Sequence, residues 1–318
     1  MELMSRKNFT TRFTLPLVIV FAGLFLLSAC ASRSKPDNST LDSYYASIQE
    51  WHAQRNDRLN QPDSWLTLAG LFWLEEGINH FGGANDNDLV FRSDTVPAHI
   101  GSFHLKGDSV RMLVNQGLEI YNDSTLVTDV NLKKDSEGQP DLLRWRHLSW
   151  YIIKRGDRIG VRLKDAKHPN LVNFKPTELF PVDTLWRVSA HLEPFDSTTS
   201  IEITNVLGDQ SPSPSPGRLH FVIAGESHTL APLGSPGDDN YFIIFGDATN
   251  GGSTYGAGRF LVVPAVDEHN QTMIDFNRAY NMPCVFSPYA TCPLPPEENL
   301  LTVSIEAGEK RYDLDYGH

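Results

Sequence analysis

The sequence predicts a mainly β protein, with an antiparallel sandwich or barrel-like body, two β subdomains and an N-terminal amphipathic helix. Short apolar segments of strand length recur from residue 89 to residue 263, with a last predicted strand at residues 301–306, and Gly-, Asn- or Asp-containing turns separate them. This spacing is typical of antiparallel sheets rather than of alternating strands and helices. Residues 150–154 and 159–163 flank Arg-Gly-Asp-Arg, which is a good hairpin turn.

One segment near the N-terminus has helical periodicity. Ser39 and Asp42 resemble a capping box, and seven residues, all but one of them apolar or aromatic, then recur at three- to four-residue spacing. The recurring residues are Leu41, Tyr44, Tyr45, Ile48, Trp51, Arg55 and Leu59. We therefore expect a helix whose aromatic face covers a core.

The middle of the chain contains three further signals. Residues 65–74 are nearly all apolar, which fits either a buried strand or a short buried helix. Residues 208–217 contain three consecutive Ser-Pro pairs and are predicted to be a loop. Residues 176–181 contain two prolines and mark a possible boundary. The predicted organisation is a signal peptide (1–29), a tether (30–40), a helix with a β subdomain (41–180), a C-terminal β subdomain (181–312) and a tail (313–318).

The charge balance argues against nucleic acid as a partner. The chain has 27 Lys and Arg against 39 Asp and Glu, a formal net charge of −12. An acidic surface without a basic stripe repels phosphate backbones.

The N-terminus resembles that of a bacterial lipoprotein. Three basic residues precede an apolar run, and the run ends in Leu-Ser-Ala-Cys30, which is similar to a lipobox. The resemblance implies cleavage before Cys30 and attachment of lipid to its sulfur, which makes the membrane a partner through that lipid. Ala31 follows the cysteine, which implies the outer membrane, facing the periplasm.

With lipid on Cys30, two cysteines of the exported chain remain free to react, Cys284 and Cys292. In an oxidising compartment two thiols most often pair, and the loop between them can turn back on itself. A two-cysteine metal site or a reactive thiol is the alternative, although no Cys-x-x-Cys motif or adjacent His is present. The sequence also has no motif for a nucleotide, a cofactor or a metal.

The C-terminal motifs resemble a bacterial and archaeal family catalogued as domain of unknown function 1684. The resemblance rests on Asp-Phe-Asn-Arg-Ala-Tyr-Asn at 275–281, Pro-Cys at 283–284, Cys-Pro-Leu-Pro-Pro at 292–296, Asn299 and Ala-Gly-Glu-Lys at 307–310. Residues 65–74 and 254–261 fit the same family. Met282 stands where the family usually has proline. The resemblance implies no activity, because none is established for the family.

The candidate site residues belong to this region. They are Arg259, Asp275, Asn277, Arg278, Tyr280 and Glu306. An arginine can bind an acidic group with two parallel hydrogen bonds, and a carboxylate beside it can serve as a base. The glycine-rich segment 247–258 is either a hairpin loop or a close approach to a ligand, and Asp275 with Arg278 could equally be an internal pair.

Three functions remain open from the sequence. The first is a cell-envelope lipoprotein that binds a small molecule or glycan through the Arg, Asp, Asn and Tyr side chains. The second is a hydrolase or lyase that uses Asp275 or Glu306 as acid/base beside Arg278. The third is a structural lipoprotein without a ligand site.

Overall fold

The computed structural model describes residues 38–93 and 95–313. The predicted signal peptide, the predicted lipidation site Cys30, the predicted tether up to residue 37 and the predicted tail from residue 314 lie outside these residues. Within them, no helix is both long and apolar enough to cross a membrane. The described residues from Asp42 onward form one compact unit.

The described residues are mainly β, as predicted, and the N-terminal helix is confirmed. The helices are α1 (Asn38–Leu59), α2 (Pro169–Val172) and 3-10 helices at Trp65–Thr67, Asp135–Glu137, Thr184–Trp186, Phe276–Arg278, Pro283–Val285 and Glu297–Asn299. The first strands are β1 (Leu68–Trp73), β2 (Gly77–Gly82), β3 (Leu89–Val90), β4 (Gly101–Lys106), β5 (Ser109–Val114), β6 (Ile120–Asn122), β7 (Thr125–Val127), β8 (Asp129–Leu132), β9 (Leu143–Trp145), β10 (Leu148–Arg155) and β11 (Arg158–Asp165). The later strands are β12 (Arg187–Thr204), β13 (Gln210–Ile223), β14 (Glu226–Leu230), β15 (Asn240–Phe245), β16 (Arg259–Pro264), β17 (Gln271–Asp275) and β18 (Tyr280–Asn281).

The strands form four sheets. Their orders are β1-β11-β10-β9-β6-β7, β3-β2-β4-β5-β8, β14-β13-β12-β17 and β15-β16-β18. Among the strand pairs of these sheets, β2 and β3 run parallel and the others run antiparallel. The antiparallel architecture expected from the turn spacing is therefore confirmed.

Three apolar clusters hold the sheets together. The first lies between the two N-terminal sheets and includes Phe81, Phe103 and Trp150. The second lies beneath the C-terminal sheets, and the third joins the end of α1 and the start of β1 to the segment that contains Cys292. The division predicted near residues 176–181 stays a prediction.

The hairpin predicted at residues 155–158 is present between β10 and β11. Gly156 has φ +56°, the left-handed backbone that favours glycine. Along β11, Val161 and Leu163 belong to the first apolar cluster, so Arg162 between them points to the opposite face of the sheet.

Two local predictions were wrong. The Ser-Pro segment is part of β13, where Ser215, Pro214 and Ser213 pair with residues 199–201 of β12. Alternate prolines place their nitrogens on one edge of the strand, so the serines between them can complete the ladder on the other. Residues 301–306 form a loop rather than the predicted last strand.

Residues 65–74 combine both structures that the sequence allowed. A 3-10 turn at Trp65–Thr67 leads into β1, and Ser64 caps the turn by accepting a hydrogen bond from the Leu66 amide.

Candidate functional site

One face of α1 lines an open cleft of about 710 Å³. The helix contributes Tyr44, Ser47, Trp51, Arg55 and Arg58, which recur every three to four residues and therefore share one face. The opposite wall comes from the C-terminal sheets and from the turn after β17. It consists of Arg187, Asn240, Val262, Pro264, Met273, Asp275, Arg278 and Tyr280, and Trp65 completes the cleft.

The helix is fixed against this wall by a buried carboxylate. Glu309 accepts hydrogen bonds from Arg55 Nε at 2.5 Å, Thr177 Oγ1 at 3.0 Å and the Asn281 amide at 2.7 Å. The Glu309 side chain is fully buried, so these donors replace the hydrogen bonds that water would otherwise make to its carboxylate. Gly308, with φ +75°, lets the backbone before Glu309 pass close to Ala279, because a β-carbon at Gly308 would clash with the Ala279 carbonyl oxygen.

Asp275 is held at the floor of the cleft. Its Oδ1 accepts from Tyr44 Oη at 2.9 Å, Asn277 Nδ2 at 3.1 Å and the Asn277 amide at 3.2 Å, and this last bond caps the 3-10 turn. Burial, followed by the nearby Asp275 carboxylate, raises the pKa of Tyr44 above its ordinary value. Tyr44 is therefore a neutral donor to Asp275.

Asn277 supports this network from beneath. It is buried, its Nδ2 also donates to Tyr44 Oη at 2.9 Å and to the Asp183 carbonyl at 2.8 Å, and its Oδ1 accepts from the Asp183 amide. The side chain therefore positions Tyr44 and Asp275, and Asn277 does not line the cleft.

Arg278 and Tyr280 both face the cleft. Arg278 Nε lies 3.6 Å from Asp275 Oδ2, and Nη2 donates to Ser47 Oγ at 3.3 Å. The Arg55 guanidinium stacks 4.4 Å from the centre of the Tyr280 ring. Burial raises the pKa of Tyr280, so its hydroxyl keeps its proton at neutral pH.

Arg259 lies away from the cleft, fully buried. Its guanidinium donates to Asp247 Oδ2 at 2.8 Å, to the Ile305 carbonyl at 2.8 Å and to the Ala307 carbonyl. Burial lowers the pKa of Arg259 and the Asp247 carboxylate opposes that shift. Arg259 thus holds the C-terminal loop in place.

The glycine-rich segment 247–258 is a hydrogen-bonded loop beside this pair. Asp247 Oδ1 accepts from the Thr249 amide and hydroxyl, and Thr249 contacts Thr254 through their hydroxyls. Gly258 has φ +97° and lies against the Phe245 carbonyl, so the loop packs against protein there. Glu306 is exposed and does not line the cleft.

The cleft has an excess of positive charge. Arg55 is paired with Glu309 and Arg278 lies near Asp275, whereas Arg58 and Arg187 have no ion-pair partner among the described residues. Arg187 instead lies over the Tyr44 ring at 5.2 Å. Two uncompensated guanidinium groups therefore face one cleft of a strongly acidic protein.

Sequence reasoning placed Asp275, Arg278 and Tyr280 at one site, and the structure brings these three together. It missed Tyr44, Arg55, Arg58, Arg187 and Glu309. The available signal was the helix stripe itself, because Tyr, Ser, Trp, Arg and Arg at helical spacing are too polar for a stripe that only covers a core.

Cys284 and Cys292 form the predicted disulfide. Their α-carbons lie 6.1 Å apart, and each sulfur accepts a hydrogen bond from the backbone amide of the other cysteine. Elsewhere in the described part of the chain, no three His, Cys, Asp or Glu side chains cluster as metal ligands would.

Comparison with known proteins finds a matching family only for the C-terminal part of the chain. No curated protein matches the chain significantly. A solution NMR structure of an uncharacterized protein from Haloarcula marismortui is 28% identical, with 46% of this chain and 80% of that chain covered and a TM-score of 0.38. Residues 172–310 match a family model described as a protein of unknown function (DUF1684), so residues 65–74 lie outside the match. Over residues 172–310 the comparison therefore supports the family that the C-terminal motifs predicted.

Proposed function

We propose that the cleft along α1 binds a small organic anion that carries a carboxylate or phosphate group. The observation that carries this proposal is the convergence of Arg58, Arg187 and Arg278 on one cleft. Of the described residues that line it, Asp275 alone carries a carboxylate. Guanidinium groups suit the planar, two-point recognition of carboxylate and phosphate.

The shape of the cleft supports a small molecule. Its volume of about 710 Å³ falls within the range of small-molecule sites, roughly 300–1,000 Å³. Trp51, Trp65 and Tyr280 supply aromatic surface beside the arginines, which suits a ligand with a ring or an apolar face. An acidic sugar or a sugar phosphate has both properties.

Catalysis receives less support from the geometry. Asp275 Oδ1 already accepts three hydrogen bonds, and its Oδ2 lies near Arg278. Glu306 does not line the cleft, so the acid/base pair that hydrolysis would require is not assembled there.

We further propose that the protein is lipid-anchored in the outer membrane of the cell envelope and faces the periplasm. The basic, apolar and small residues that precede Cys30 support this location. Metabolic labelling with an alkyne fatty acid should mark the wild-type chain and not Cys30→Ser. Equal labelling of both would remove the anchor from the account.

Ligand pairs that differ in charge test the binding proposal. We expect galacturonate and glucose 6-phosphate to raise the unfolding temperature of the full chain, and galactose and glucose to raise it much less. Binding should weaken as salt rises from about 0.05 to 0.5 M, because the exposed arginines are then screened.

Matched arginine variants complete the test. Arg58→Met and Arg187→Met should reduce the ligand-induced shift, whereas Arg144→Met, an exposed arginine of β9 outside the cleft, should retain it. All three change the charge equally. If the neutral sugars stabilise the chain as much as the anions do, or the cleft variants respond like the control, the proposal fails.

A further inference from the structure

A second, smaller cavity lies between the N-terminal sheet and the disulfide loop. Its volume is about 260 Å³. Its walls include the rings of Trp65, Phe242 and Phe260, and its polar side chains are Arg155, Arg162 and Thr291. Of the described residues that line this cavity, Trp65 alone also borders the cleft along α1.

Arg162 is the unusual residue of this cavity. Its side chain points away from the first apolar cluster and is 2% exposed. Its Nη2 donates to Thr291 Oγ1 at 3.0 Å and its Nη1 lies 3.5 Å from Tyr151 Oη, while its buried Nε has no hydrogen-bond partner. No acidic side chain forms an ion pair with Arg162 within residues 38–93 and 95–313.

The other buried charged side chains in the described part of the chain are paired. Arg259 is bonded to Asp247, Glu309 to Arg55, and Lys134 to Glu137. A buried charge without a counterion strongly destabilises a fold unless something compensates it, so an uncompensated Arg162 requires an explanation.

Thr291 completes a group of donors. Its hydroxyl oxygen accepts hydrogen bonds from both Arg155 Nε, at 2.9 Å, and Arg162 Nη2, at 3.0 Å. A hydroxyl oxygen has two lone pairs, so these bonds occupy both and leave the hydroxyl proton to donate outward. Arg155 is itself neutralised by Asp135 at 2.8 Å. Arg155, Arg162 and Thr291 therefore give this side of the cavity hydrogen-bond donors and one unneutralised positive charge, that of Arg162.

We propose that this cavity binds the carboxylate group of a small apolar monocarboxylic acid. The carboxylate accepts hydrogen bonds from Arg162 and Thr291, and the apolar body packs against Phe242 and Phe260. The volume is just below the usual range of small-molecule sites, which selects a compact ligand. The disulfide flanks the site, because Thr291 immediately precedes Cys292.

Calorimetric titration of the full chain with benzoate and hexanoate tests the proposal. We expect saturable binding of one equivalent of each in Arg58→Met/Arg187→Met, in which the α1 cleft lacks its uncompensated arginines. Benzyl alcohol and hexanol, which have the apolar body without the charge, and acetate, which has the charge without the body, should bind at least tenfold more weakly.

Two variants separate binding from folding. Arg162→Met keeps most of the side-chain volume and should lower benzoate affinity at least tenfold, without lowering the unfolding temperature of the ligand-free chain. Thr291→Val removes the hydroxyl at constant shape and should lower affinity about threefold or more. Arg144→Met, the exposed control, should bind like wild type.

Several outcomes would overturn the proposal. They are the absence of saturable binding, equal binding of acids and alcohols, and wild-type affinity in Arg162→Met. If Arg162→Met unfolds, Arg162 is needed for folding, and wild-type affinity in Thr291→Val would then reject the site. Because binding is measured in Arg58→Met/Arg187→Met, which disables the α1 cleft, either site can fail without the other.

Discussion

Replacing Arg259 by Met should strongly destabilise the fold, because its guanidinium joins Asp247 to the C-terminal loop. The change removes the ion pair with Asp247 at 2.8 Å and the hydrogen bonds to the carbonyls of Ile305 and Ala307. The carboxylate of Asp247 is then buried without a counterion, although the amides of Thr249 and Ile305 still donate to it.

The expected magnitude follows from this environment. Removing one partner of a fully buried ion pair costs about 3–5 kcal/mol, a large share of the roughly 5–15 kcal/mol that stabilises a native protein. Asp247→Asn combined with Arg259→Met should recover part of the loss, because no carboxylate charge then remains buried alone. Arg278→Met, whose side chain is 35% exposed, should change stability by about 0–1 kcal/mol.

Urea-induced unfolding, followed by tryptophan fluorescence, measures these differences. If Arg259→Met unfolds within 1 kcal/mol of wild type, or no more easily than Arg278→Met, the assignment of Arg259 to a structural role is refuted. Loss of anion binding in a folded Arg259→Met chain, with binding by Arg278→Met unchanged, would also show that Arg259 belongs to the binding site.

Three further predictions concern stability. Cys292→Ser should lower the free energy of unfolding by about 2–3 kcal/mol, since the disulfide closes a short loop, and equal stability of the variant and wild type in non-reducing urea titrations would contradict this. Burial lowers the pKa of His52 from 6.5, so the folded chain favours neutral imidazole, and its contribution is present above about pH 6.5 and lost as pH falls. Urea titrations between pH 7.5 and 5 should therefore show a flatter pH dependence in His52→Gln, and the exposed His269→Gln should follow wild type. Glu309→Gln should cost about 3–5 kcal/mol by leaving Arg55 without its buried partner, and a loss below 1 kcal/mol in the same titrations would show that this carboxylate does not fix α1.

Local patterns in the sequence predict much of the fold. The 3–4 spacing from Tyr44 to Leu59 predicts α1, and the Gly-containing turn at 155–158 predicts the β10–β11 hairpin. Such signals depend on a few neighbouring residues, so they can be read directly. The Ser-Pro segment was wrongly predicted to be a loop because proline disfavours strands in general. Alternate prolines nevertheless fit a strand that has one unpaired edge.

The site was only partly predictable, because its residues are distant in the chain. Asp275, Arg278 and Tyr280 form one dense motif, but their partner Tyr44 is separated from Asp275 by 231 positions. No local pattern shows that α1 packs beside the turn after β17. Arg259 looked like a ligand-binding arginine until its depth beneath the surface was known, and burial is a property of the tertiary fold.

The central claim is that the uncompensated arginines of the α1 cleft bind an anion. Calorimetric titration of galacturonate into wild type and into the double variant Arg58→Met/Arg187→Met tests it most directly. The account predicts one site per chain in wild type, at least tenfold weaker binding in the double variant, and weaker binding at higher salt. Equal affinity in both proteins, or an affinity independent of salt, would contradict it.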